Sequence, residues 1–175
     1  GRTGVITEFQ ILERHYTMLS DQVRLNHPKE TGGFLGGKNG VIQLVLPVFN
    51  QAFTKKESQF AMSSADTHRA HDLCHKNKLD YYGIYHNHPS GSNRPSFQDM
   101  NRVQRYLFIL TLDAQARLTI TAYQALGRIP KRLPVRYIKK LPTVQSSIDD
   151  TMTAPDTPND TVILSQAQAT ASYTR

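Results

Sequence analysis

The chain has 175 residues, 38% of them hydrophobic, and a formal net charge of +7, which is enough for one folded domain with its own core. No apolar run approaches the roughly 18 residues of a membrane helix, and no basic stretch leads into an apolar one at the N-terminus, so we expect neither a membrane anchor nor a signal peptide. A single cysteine, Cys74, excludes an internal disulfide and an all-cysteine zinc site, and such usage fits a reducing compartment, so the expected location is cytoplasmic.

From the N-terminus, Phe9, Leu12, Tyr16, Leu19 and Val23 recur near a helical period, which predicts an amphipathic helix over residues 7–27. Pro28 and Gly32-Gly33 end it. Phe34-Leu35-Gly36-Gly37 and residues 41–49 predict two strands joined by Lys38-Asn39-Gly40, because Asn-Gly is a strong hairpin signal, and residues 58–62 suit a short further strand. Residues 64–77 have helical composition, and residues 81–86 read as a buried strand cut off by Pro89 and the loop 90–95. A short helix is expected from Ser96. Residues 107–112 and 117–123 form a hairpin about 113–116, residues 130–134 are a proline-rich connector, and 135–138 supply one more strand.

After Pro142 the composition turns to Thr, Ser, Gln, Ala and Asp with little to bury, which predicts a domain over residues 1–140 and a polar, flexible tail over 141–175. Asp149, Asp150, Asp156 and Asp160 against Arg175 alone put that tail at −3, so residues 1–140 carry +10. The basic groups are short and scattered. A solvated surface explains them best, with acidic proteins and, less favoured, nucleic acid as partners that such a field would steer. Helices alternating with mixed strand runs indicate an α/β fold, a mixed curved sheet flanked by helices.

The chemistry concentrates in His86-Asn87-His88-Pro89 and in Ser96 and Asp99 one helical turn apart. On a strand, residues two apart point to the same face, so both imidazoles can meet one ion. Asp99 would add an oxygen. Two nitrogens and a carboxylate leave a fourth tetrahedral position for water, the arrangement of a catalytic zinc rather than a structural one. Each part has a plainer explanation: His-x-His as two strand-end side chains, and Ser96-x-x-Asp99 as a capping box. A capped helix start also puts Ser96 and Asp99 on one face, so the two readings agree. Glu30, between Pro28 and the glycine run 32–37, is the candidate base, and those glycines would let substrate approach the backbone. On the 64–77 helix, His68, His71, His75 and Cys74 lie at helical spacings, where a polar face explains them better than a second metal or a cysteine nucleophile.

Taken together, Glu30-x-x-Gly33-x-Leu35-x-Gly37, His86-x-His88-Pro89, the seven residues Pro89 to Pro95, and Ser96-x-x-Asp99 resemble the signature of the JAMM/MPN+ metalloproteases, over roughly residues 8 to 125. The chain is closest in size to the small prokaryotic members. The resemblance implies a JAMM/MPN-like fold with a cytidine-deaminase-like layout. It makes His86, His88 and Asp99 the ligands of one zinc ion, Glu30 the general base and proton shuttle, and Ser96 the oxyanion-stabilising residue.

It further implies an isopeptidase or peptidase that cleaves after the C-terminal tail of ubiquitin or a ubiquitin-like protein, sulphur carriers included. We expect that tail to lie extended along a sheet edge near the glycine run. Asn87 between the histidines, followed by Pro89-Ser90-Gly91, is more similar to the RadC-type branch, whereas eukaryotic members have Ser or Thr there. The short segment 100–106 lacks room for the insertion that grips ubiquitin chains. Two other readings follow from these features: a non-catalytic MPN-type binding module, and a RadC-like protein associated with nucleic acid.

Overall fold

A computed structural model describes residues 4–48, 62–95, 105–126 and 129–142. The helix expected from Ser96, the strand expected at 58–62 except for Met62, which is in no strand, and the tail expected at 141–175 beyond its first two residues lie outside the described residues. The first element departs from the periodicity reading. Residues Phe9–Leu12 form strand β1, and helix α1 occupies only Glu13–Asn26. Phe9, Leu12 and Tyr16 keep helical spacing across the junction, so local pattern cannot separate the two. What decides it is non-local: β1 pairs in parallel with a strand on each side and buries Phe9 and Ile11.

Strands β2 (Gly32–Lys38) and β3 (Val41–Val48) form the expected hairpin. Asn39 and Gly40 both take positive φ, 54° and 83°, as a two-residue turn of this hand requires. Helix α2 (Ser64–Lys76) begins where the Ser63 hydroxyl accepts the Asp66 amide at 3.0 Å. Then follow β4 (Asp80–Asn87), β5 (Tyr106–Leu112), β6 (Leu118–Leu126), β7 (Ile129–Leu133) and β8 (Val135–Ile138). The stretch read as a proline-rich connector is therefore strand β7. Among the described residues it pairs with β6 alone, and on such an edge a proline removes no ladder bond that matters.

The sheet runs in the order β7-β6-β5-β4-β2-β3-β1-β8. Its two outermost strands, β7 and β8, are separated in the chain by Pro134 alone, so the sheet curls until one bent segment borders both ends. The Phe9 amide donates to the Pro134 carbonyl at 2.9 Å, and Arg136 meets Glu8 at 2.9 Å. Curling splits the sheet into an inner and an outer face. The inner face and α1 share the main core, in which Phe9 stacks edge-on against Tyr82, Tyr106 and Phe108. The outer face carries α2 over Phe34, Leu44 and Leu46, and separately Leu107, Ile109 and Tyr123. Among the described residues no helix is long and apolar enough to cross a membrane.

Strand β2 is interior, paired along its length with β3 on one side and β4 on the other. That overturns two expectations: the glycine run offers no sheet edge for a substrate tail, and its glycines serve the protein's own packing. A Cβ on Gly33 would overlap the Leu46 carbonyl oxygen and lie 2.7 Å from the Tyr85 hydroxyl. On Gly36 it would come within 2.7 Å of the Cys74 sulphur. Since backbone cannot give way as a side chain can, Gly33→Ala should destabilise the fold by about 2–3 kcal/mol. Urea unfolding of parent and variant measures it; a loss under half a kcal/mol would return the glycine to a substrate-facing role.

Candidate metal centre

Strand β4 sets the two candidate ligands by simple alternation. Ile84 packs in the outer cluster beneath α2, while Tyr85 lies in the inner core. His86 therefore falls on the outer face and Asn87 on the inner. His88, one residue past the strand, follows the same alternation, and the two imidazoles sit with centroids 4.9 Å apart and planes at 59°. His86 is buried and His88 half-buried. Nδ1 of His88 lies 2.8 Å from the Ser92 carbonyl. A carbonyl can only accept, so Nδ1 carries the hydrogen and the neutral ring keeps its lone pair on Nε2. Metal-binding histidines are commonly oriented in this way.

Glu30 enters from the opposite side of the pairing. Gly32 pairs with His86 across β2 and β4, and the Asn87 amide donates to the Thr31 carbonyl at 3.1 Å. Continued by one residue, this register puts Glu30 across from His88, and opposed residues share a face. Its side chain is 8% exposed, an unusual environment for a glutamate in a connecting segment. The segment itself is tied on several sides. Thr31 donates its amide to Asn87 Oδ1 at 2.6 Å, and Asn87 Nδ2 donates to the Lys29 carbonyl at 3.4 Å. Gln22 of α1 donates to Thr31 Oγ1 and to the Gly32 carbonyl, while accepting from the buried Tyr85 hydroxyl.

The structure thus brings His86 and His88 together at the end of β4, and the register of β2, continued past Gly32, puts Glu30 across from His88. Ser96 and Asp99 lie outside the described residues. Among the described residues no three His, Cys, Asp or Glu side chains are grouped to hold a metal; the histidine pair provides two donors, and a carboxylate such as Asp99 would complete the set. Two imidazoles with one fixed tautomer, joined by a carboxylate, suit zinc. A cleft of about 300 Å³ lies beside His88 on the Asn87 side, walled by Val23, His27, Leu110 and Ala114, and His86 does not line it. Sequence reasoning did not anticipate the ties made by Asn87, Gln22 and Tyr85. The one available signal was an amide residue standing between two histidines.

The helix α2 histidines have other occupations. His68 faces Asp72 at 3.4 Å in solvent, and the His71 ring lies 4.0 Å from that of Tyr81. Cys74 is buried against Gly36. Burial, with the Asp80 charge adding to it, pushes its thiol from the ordinary 9.0 up to about 11, which suits an inert core sulphur rather than a nucleophile. A thiol whose pKa is raised by folding retains its proton longer in the folded state, so stability should fall as pH rises from about 9 through 11. At neutral pH, a disulfide reagent such as Ellman's should react with Cys74 only on unfolding. Fast labelling of the folded protein would contradict this.

With the geometry in hand, similarity to known proteins can be read. The family described as prokaryotic homologues of the JAB domain matches residues 12–124. No curated protein matches the chain. A solution structure of a Desulfitobacterium hafniense protein superposes with a TM-score of 0.66 at 19% identity, covering 76% of this chain and 94% of that one. A Salinibacter ruber protein gives 0.55 at 18% identity, covering 78% and 95%. A JAB1/MPN domain protein of Archaeoglobus fulgidus gives 0.48 at 18% identity, covering 75% and 99%. The first two share the fold.

Proposed function

Because the chain belongs to the prokaryotic homologues of the JAB domain, we propose that it is a zinc-dependent peptidase or isopeptidase that cuts after the C-terminal tail of a ubiquitin-like protein. What supports this reading is the histidine pair, its ring centroids 4.9 Å apart, together with a register that, continued past Gly32, puts the buried Glu30 across from His88.

His86 and His88 would hold the ion through ring nitrogens, with Asp99 as third ligand. Zinc, when bound, supplies Lewis acidity that makes a water acidic near neutral pH and polarises the scissile carbonyl. Glu30 takes the proton from the attacking water on a carboxylate oxygen and returns it to the leaving amine. The Ser92 carbonyl keeps His88 in the tautomer that ligation needs. Ser96 would donate its hydroxyl to the developing oxyanion. An extended tail does not lie along β2, whose two edges are filled. The substrate is a protein tail, and a reducing, cytoplasmic setting fits the single cysteine of the chain.

Glu30→Gln keeps the shape of the side chain and removes its basicity. It should leave bound zinc near one per chain while lowering kcat on a responsive ubiquitin-like fusion by about 100- to 10,000-fold. Metal analysis and a cleavage panel of such fusions test both at once. Zinc in both proteins with no cleavage by the parent would favour a binding module of the same fold, and no zinc in either would sink the site.

A further inference from the structure

We propose that Asn87, the residue between the two histidines, is a positioning residue whose side-chain amide fixes the backbone on both sides of Glu30 and so sets that carboxylate against the histidine pair. This rests on the reading of Glu30 as the base. Asn87 is 1% exposed, on the inner face of β4, and cannot itself reach ions or substrate on the outer face. What it does reach is Glu30's two neighbours.

In a regular antiparallel pair, opposed residues exchange two backbone bonds. Here the first is present, from the Asn87 amide to the Thr31 carbonyl at 3.1 Å. The return bond, from the Thr31 amide, goes instead to the Asn87 side chain at 2.6 Å. Its other arm donates to the Lys29 carbonyl at 3.4 Å. A side chain thereby extends the pairing beyond the start of β2 at Gly32, into a segment that has no strand of its own.

Only an amide meets this demand, since the segment offers an N–H on one side of Glu30 and a C=O on the other. A carboxylate would satisfy the first and repel the second. The same residue supplies, through its two chain neighbours, the imidazoles themselves. Any movement of β4 therefore carries base and ligands together, and their spacing is preserved. Gln22 braces the same segment from α1 at Thr31 and Gly32, whereas Asn87 reaches the Lys29 side.

The test compares the full chain with Asn87→Ala and with Leu19→Ala, a core change in α1 that removes buried surface without touching the segment. Amide exchange by NMR, zinc affinity by chelator competition, and cleavage of a ubiquitin-like fusion are read on each. In Asn87→Ala the Thr31 amide should exchange at least about tenfold faster beyond any global change, with zinc affinity within about twofold. kcat should fall about 10- to 100-fold with KM held, and the fall should vanish when Glu30→Gln is already present. Asn87→Asp, which retains the acceptor for Thr31, should restore protection at that amide.

Unchanged Thr31 exchange in Asn87→Ala would overturn the proposal, as would loss of zinc affinity or an equal kcat loss in Leu19→Ala at matched stability. If the parent cleaves no fusion, the peptidase reading fails while exchange still decides whether Asn87 holds the segment.

Discussion

The antiparallel pairing of β2 with β4 is the constraint on which everything else rests. Register in a sheet is all-or-none, because a slip of one residue exchanges the two faces. With Gly32 opposite His86, both histidines and Glu30 share the outer face, while Asn87, Tyr85 and Thr31 share the inner one. One slip would send the imidazoles into the aromatic core and Asn87 into solvent. The pairing is held far from the site as well as at it, by Phe34 and Leu35 burying on opposite faces. Stability of the core and geometry of the site are thus the same fact seen at two ends of one strand pair.

Curling of the sheet serves that pairing. Among the described residues the strands at the two ends, β7 and β8, are short and consecutive in the chain, which limits the edge open to other strands. The inner face closes around Phe9, Tyr82, Tyr106 and Phe108, whose burial contributes roughly 2–3 kcal/mol per ring. Backbones pack closely enough that Gly33 has no space for a methyl group. The rigid body this makes holds the spacing of side chains at the strand ends.

Much of this was legible in the sequence, for reasons that differ by element. The Asn39-Gly40 turn and the His86-x-His88 strand obey short-range rules, a backbone preference and a two-residue period, and both hold in the structure. Glu30 stood out by its place between Pro28 and the glycine run, and the register continued past Gly32 puts it across from His88. The glycines were misjudged because their demand comes from Leu46, Tyr85 and Cys74, which are distant in sequence. Strand β1 was hidden inside a helical spacing, and β7 behind Pro130 and its basic neighbours. Both are strands through partners that no local window contains. Asn87 belongs with these: its type was visible, but its two backbone partners 56 and 58 residues away were not.

The most direct measurement is an anomalous diffraction map at the zinc edge on crystals of the full chain grown with zinc. The expected result is one strong site bonded to a nitrogen of His86 and to Nε2 of His88, with the Glu30 carboxylate within hydrogen-bonding reach of the open coordination position. Zinc bound elsewhere, or at the histidines with Glu30 turned away from that position, would contradict the assignment.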